Sequence, residues 1–128
     1  MTDTPGHTGP PALGVAELRF RRATAELEVS FTDGTTAVLP AEYLRVESPS
    51  AEVQGHGPND RKLVSGKRAV GIAAVEPVGR YAVRIRFTDG HDTGIFSWAL
   101  LHQLAQEQAE RWQAYLDMLS KAGRTRDR

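Results

Sequence analysis

Apolar and polar residues alternate in the first part of the chain. Leu18 and Phe20 alternate with two arginines, and after a short turn the apolar residues of 27–31 alternate with glutamates and a serine. Period-two alternation is typical of half-buried strands, here joined as a hairpin. The outward arginines, Arg19 and Arg21, then face glutamates, which favours cross-strand ion pairs over an anion-binding site.

A second alternating stretch lies near residue 85. We predict an apolar strand over 70–75, a turn at Glu76-Pro77-Val78-Gly79, and then a longer strand. The alternation predicts that one face of this strand is apolar and the other mostly arginine. The predicted inward residues are Tyr81, Val83, Ile85 and Phe87.

The two stretches contain the same four residues. Phe31-Thr32-Asp33-Gly34 and Phe87-Thr88-Asp89-Gly90 are identical, and Asp-Gly supplies the positive φ values that hairpin turns require. A short strand and a helical start follow each copy. The pattern predicts two hairpin-then-helix units packed into one sheet, with chance recurrence of two Asp-Gly turns as the alternative.

Helical periodicity dominates the last part of the chain. Ser97 is a suitable N-cap, and the apolar residues that follow lie close to one helical face. One long helix, or two helices that break near Gln106, both fit, and Gly123 ends the helical region. We therefore predict an α+β fold: a small antiparallel or mixed β-sheet built from hairpins, packed against short helices and a C-terminal amphipathic helix.

Proline and glycine mark the boundaries. We predict a disordered N-terminal tail over 1–15, one domain over 16–122 and a charged tail over 123–128. The serine, glycine and proline residues of the stretch 46–66 predict a long loop. A long loop in a compact domain is usually functional or mobile. His56 lies in this loop between two glycines.

Composition excludes several classes of function. Sixteen basic residues balance sixteen acidic ones, so no global field favours nucleic acid or a membrane surface. The chain has no cysteine, which excludes disulfides and thiolate metal sites. No apolar run approaches the ~20 residues that span a bilayer, and residues 1–14 lack the pattern of a secretory signal. We expect a cytoplasmic protein.

The candidate chemistry centres on His91. No nucleophile constellation or phosphate-binding glycine loop is visible, so we expect no enzyme activity. His91 lies in a turn beside Asp89 and Asp92, where it could bind a metal ion with His56 as a further ligand. An exposed turn histidine is the alternative.

Four segments carry a resemblance to a known family over about residues 18–119. They are Phe31-Thr32-Asp33-Gly34, Tyr43-Leu44-Arg45, the stretch 48–57, and the stretch 89–98 with its Asp89-Gly90-His91 turn. Together they resemble the gamma-butyrobetaine hydroxylase-like N-terminal domain family.

The resemblance implies a metal site that this chain has lost in part. In carnitine-synthesis oxygenases with this domain, three cysteines and a histidine hold zinc, and the iron ligands of catalysis lie in a separate domain. The histidine matches His91, whereas the cysteine positions fall on Ser48, Ser50 and Val53. Iron or zinc at His91 therefore remains a hypothesis.

The resemblance also implies a class of partner. Similar domains are fused to iron–sulfur cluster carrier ATPases in chloroplast proteins. We therefore expect a non-enzymatic accessory module that binds a protein partner, such as an iron–sulfur carrier or assembly protein. The alternatives are a metal-binding protein that uses His91 and a non-catalytic domain that partners an iron/2-oxoglutarate oxygenase.

Overall fold

A computed structural model describes residues 14–55 and 62–127. Most of the predicted N-terminal tail, and His56, lie outside the described residues. The strands are β1 (Val15–Arg21), β2 (Glu26–Phe31), β3 (Thr36–Pro40), β4 (Ile72–Val78), β5 (Ala82–Phe87) and β6 (Ile95–Ser97). The helices are α1 (Ala41–Val46), α2 (Ala51–Gln54), α3 (Trp98–Gln106) and α4 (Gln108–Lys121). The predicted α+β class is confirmed.

The strands form two sheets rather than one. The first sheet has the order β1-β2-β3 and the second has the order β4-β5-β6, and all pairs are antiparallel. The inward side chains of both sheets join those of α1 and α3 in one apolar core. Fully buried members of this core include Leu27, Val29, Leu44, Ile85 and Leu101.

The predicted internal repeat is present in the backbone. In each copy the threonine of the Thr-Asp-Gly turn exchanges two hydrogen bonds with a glycine before the hairpin, Thr32 with Gly14 and Thr88 with Gly71. Gly34 and Gly90 have φ values of 92° and 93°. Each unit is a three-stranded meander that runs into a helix, α1 in the first unit and α3 in the second.

The helix of each unit reaches the turn of the other unit. Arg45 of α1 donates to Asp89 in the second unit, with Nε 2.9 Å from Oδ2. His102 of α3 lies 3.7 Å from the carboxylate of Asp33 in the first unit, and its ring packs edge-on against Phe31. The two units are therefore interlocked.

Several local predictions need correction. Glu76-Pro77-Val78 is not a turn but the end of β4. Proline is tolerated there because β4 is an edge strand, and the position of the missing N–H faces away from β5. The turn begins at Gly79, with φ of 61°. Tyr81 lies in this turn and is 69% exposed, so it is not part of the inward face.

The loop and the helical region also differ in detail. Residues 51–54 of the predicted 46–66 loop form α2, because Ser50 caps the helix by accepting a hydrogen bond from the Glu52 N–H. Ser97 caps α3 in the same way, through the Leu100 N–H. The helical region breaks after Gln106, which confirms the two-helix alternative.

Candidate functional site

The Asp89-Gly90-His91 turn places His91 against α2. The Phe87 N–H donates to the His91 carbonyl, and the His91 N–H donates to Asp89 Oδ1 at 3.1 Å. These bonds fix the backbone of the turn and direct the ring inward. His91 is only 5% exposed, and its ring centroid lies 5.9 Å from that of Phe87.

Both ring nitrogens of His91 have partners. Nδ1 lies 2.8 Å from Glu52 Oε1, and Nε2 lies 2.9 Å from Ser48 Oγ. An ionised carboxylate can only accept, so Nδ1 carries the proton that faces Glu52. In the neutral ring, Nε2 then accepts a hydrogen bond from the Ser48 hydroxyl, and Ser48 Oγ itself accepts from the Ser50 N–H.

Further polar contacts tie the segment before α2 to the turn after β5. The Ser50 and Thr93 hydroxyl oxygens are 2.5 Å apart. Within the first segment, the Gln54 side-chain amide donates to the Ser48 carbonyl at 2.8 Å. We call the side chains of Ser48, Ser50, Glu52, His91 and Thr93 the His91 cluster. It joins two segments separated by about forty residues, 43 between Ser48 and His91.

The order serine–histidine–carboxylate resembles a nucleophile triad, which the sequence did not reveal. Ser48, however, has no exposed surface. A Cβ atom placed on Gly94 would come within 2.4 Å of Ser48 Oγ, so no substrate carbonyl fits on that side of the hydroxyl. The geometry supports a structural role for Ser48 rather than acyl transfer.

Asp89 is held by two cations. Its Oδ2 lies 2.9 Å from Arg45 Nε and 2.6 Å from Lys67 Nζ. Burial raises the pKa of Asp89, but the hydrogen bonds from Lys67, the His91 N–H and Arg45, together with the charge of Arg45, outweigh burial and lower the pKa to about 2. Asp89 is therefore an ionised anchor of the turn.

This pKa predicts a loss of stability in acid. Because the folded-state pKa lies below the ordinary value of 3.8, the stabilisation by Asp89 is complete above that value and disappears as the pH falls towards about 2. Urea unfolding of the wild type and Asp89→Asn between about pH 6 and about pH 2 should show a gap in free energy of unfolding that closes in acid. Asp92→Asn is the control, and a gap that stays constant with pH would contradict the assignment.

The predicted metal ligands are only partly brought together. Asp89 is bound to Arg45 and Lys67, and it contacts His91 through the backbone N–H rather than the ring. In the ranges 14–55 and 62–127, no group of three or more histidine, aspartate or glutamate side chains is placed to hold a metal ion. Asp92 joins no such group, and His56 lies outside the described residues.

The zinc site that the family resemblance implies does not fit these residues. Of the three cysteine positions, Ser48 and Ser50 are hydroxyls engaged in the His91 cluster, and Val53 is a buried apolar side chain. Structural zinc sites are built from thiolates and imidazoles, and only the imidazole is present. Hydrogen bonds occupy both nitrogens of that imidazole.

Elemental analysis tests the metal hypothesis that involves His56. If His91 and His56 hold a metal ion, the purified wild type should carry a stoichiometric metal that His91→Ala and His56→Ala each lose. His102→Ala, a histidine on α3, is the matched control and should keep it. A wild type without metal after growth with added iron and zinc would end this hypothesis.

A separate surface lies on the outer face of the second sheet. By register, Ile95 on β6, Arg84 on β5 and Glu76 on β4 form one row across this face, and Ala82 and Val78 belong to the next row. Ile95 is 48% exposed and Val78 is 38% exposed. Tyr81, in the turn that precedes β5, is 69% exposed.

The strands of this outer face carry two arginines and one carboxylate, and Asp92 in the following turn also interacts with Arg84. Arg84 and Arg86 share one carboxylate, Glu76, at 2.8 Å and 3.6 Å. The corresponding face of the first sheet has the opposite excess, because Arg19 and Arg21 lie opposite Glu28 and Glu26 and Arg19 also contacts Glu17. The two faces therefore differ in charge although their backbones are related.

No helix in the described part of the chain is long and apolar enough to cross a membrane.

Residues 18–102 match the family model described as "Gamma-butyrobetaine hydroxylase-like, N-terminal". A comparison with curated proteins gives no match.

Solved structures that are similar to this chain include the following three. Two are solution NMR structures, one 43% identical with a TM-score of 0.77 over 89% of this chain and 90% of that chain. The other is 44% identical with a TM-score of 0.78 over 94% and 91%. The third is a crystal structure of a protein of unknown function in the DUF971 family from Acidithiobacillus ferrooxidans, 41% identical with a TM-score of 0.61 over 71% and 91%.

Proposed function

Because the chain belongs to the gamma-butyrobetaine hydroxylase-like N-terminal family, we propose that it is a non-enzymatic accessory module that binds a protein partner. The observation that carries the proposal is the outer face of the second sheet, where Ile95 and Val78 are exposed beside Arg84 and the turn before β5 exposes Tyr81. Tyrosine and arginine are enriched at the centres of protein interfaces.

Charge gives the partner a chemical character. With two arginines sharing one glutamate, this face favours an acidic partner surface that has an apolar centre. The His91 cluster contributes indirectly, because it fixes the 91–94 turn that leads into β6.

The partner class that we propose is an iron–sulfur carrier or assembly protein in the cytoplasm. Its support is the fusion of similar domains to cluster carrier ATPases, which is an argument by association. The cluster would be the partner's cargo, since this chain has no cysteine to hold one.

A substitution on the outer face tests the proposal. Ile95→Asp places a negative charge in the exposed row formed by Ile95, Arg84 and Glu76 and should weaken partner binding by about thirtyfold, the effect of one interface hot spot. Affinity purification from the native cell, followed by calorimetry with the purified partner, measures the change.

Val38→Asp is the matched control. Val38 is 39% exposed and occupies the corresponding position on β3 of the first sheet. A partner that binds both variants as it binds the wild type would contradict the proposed surface. Loss of binding in Ile95→Asp with a partner unrelated to iron–sulfur assembly would keep the surface and reject the partner class.

A further inference from the structure

Residues 124–127, part of the predicted charged tail over 123–128, are docked on the domain. The Gly66 N–H donates to the Thr125 carbonyl, and the Arg68 N–H donates to the Arg126 carbonyl, both at 3.0 Å. Because both bonds join main-chain groups, they do not depend on the side chains of the segment, as in peptide recognition by strand addition.

The side chain of Arg126 supplies the specific contact. Its Nε and Nη2 atoms donate to the two carboxylate oxygens of Glu42 at 2.8 Å and 2.6 Å. Its guanidinium carbon lies 5.2 Å from the ring centroid of Trp112. A bidentate carboxylate and an aromatic face together match the planar guanidinium group better than they match an ammonium group.

The carboxylate of this site requires a cation. The Glu42 side chain is only 7% exposed, and burial of an unpaired carboxylate is costly. An open cleft of about 610 Å³ adjoins the pair, lined by Pro40, Tyr43, Ala109 and Trp112 among others. The cleft offers room for side chains that flank an inserted arginine.

The contacts of the segment are concentrated in Arg126. The neighbouring Arg68–Asp127 pair is more than half exposed on both sides, and such pairs contribute little. Arg124 adds one hydrogen bond, from its guanidinium to the Leu63 carbonyl at 2.9 Å. The docked segment is therefore held by Arg126, this exposed contact and a few main-chain bonds, which a competing chain can replace.

We propose that Glu42 and Trp112 form an arginine-recognition site, and that residues 124–127 occupy it as an internal ligand. In place of this segment, the site accepts an extended segment of a partner protein that inserts an arginine between Glu42 and Trp112. It shares no residue with the outer face of the second sheet, so it goes beyond the interaction proposed above.

Peptide binding to the full-length chain tests the site. The probe is a capped peptide with the sequence of residues 123–127, Gly-Arg-Thr-Arg-Asp, and a second peptide carries citrulline at the position of Arg126. We expect the first peptide to bind Arg126→Ala saturably in calorimetry, to raise its Tm, and to bind the wild type about tenfold more weakly because the chain's own arginine competes. The citrulline peptide should bind Arg126→Ala about tenfold more weakly than the arginine peptide.

Two further variants make the outcome decisive. Glu42→Gln in the Arg126→Ala chain should reduce peptide binding about tenfold, and Ile95→Asp in that chain should leave it unchanged. If Arg126→Ala does not fold, Arg126→Lys replaces it. Absence of saturable binding, or equal binding of both peptides, would overturn the proposal. Concentration-dependent dimerisation of the wild type that Arg126→Ala abolishes would also overturn it, because the occupant would then be a second copy of the chain.

Discussion

Gly94→Ala should lower the free energy of unfolding by about 2–3 kcal/mol, the upper part of the range for overpacking a core. The added Cβ would lie 2.4 Å from Ser48 Oγ and 3.2 Å from Phe96 Cε1. Both neighbours are fully buried, and Ser48 is also bonded to His91, so neither can move without breaking other contacts. Urea unfolding followed by circular dichroism measures the change.

Two comparisons sharpen this prediction. Gly71→Ala is the matched control, because its Cβ would make an ordinary 3.4 Å contact with Thr88, and it should stay within about 0.5 kcal/mol of the wild type. In a Ser48→Ala background, Gly94→Ala should cost less than in the wild type, since the clashing oxygen is gone. Equal costs in the two backgrounds would show that the clash with Ser48 is not the cause.

His91→Ala should lower the free energy of unfolding by about 2–4 kcal/mol, because it removes a buried ring and leaves the Ser48 hydroxyl without its ring partner. The turn that leads into β6 would also lose its tie to α2. Chemical denaturation measures the loss. Hydrogen exchange should show that the substitution increases the amide exchange rates of residues 91–97 more than those of the rest of the chain.

His102→Ala provides the comparison for His91. The His102 side chain is 23% exposed, lies 3.7 Å from Asp33 and packs edge-on against Phe31, so its removal should cost about 1 kcal/mol, less than the removal of His91. If both histidines proved equally dispensable, the His91 cluster would not be the contact that holds the two segments together.

The sequence predicted features that depend on near neighbours. The Asp-Gly turns were identified because a positive φ is a local requirement, which Gly34 and Gly90 meet. The cap at Ser97 is likewise a property of a few adjacent residues. The turn at Glu76-Pro77 was wrong because the position of β4 at a sheet edge, which makes Pro77 acceptable there, depends on the whole sheet.

The contacts of the candidate site were harder to predict from the sequence than the turns and caps. No periodic signal links Ser48 to His91 across 43 positions, and only the family resemblance connected them. The roles of Glu52 and Arg126 were missed, since a glutamate on a short helix and a charged run near the end of the sequence both look solvent-exposed. Their partners are set by tertiary structure alone.

The interlocked units have a consequence for how the molecule can be divided. Arg45 of the first unit reaches the turn of the second, and His102 of the second reaches the turn of the first. The apolar core likewise draws on both sheets and both helices. Neither hairpin-then-helix unit therefore has a complete core of its own, and neither should fold when it is expressed alone. The two related units pack against each other as two subunits of a dimer would, but they belong to one chain.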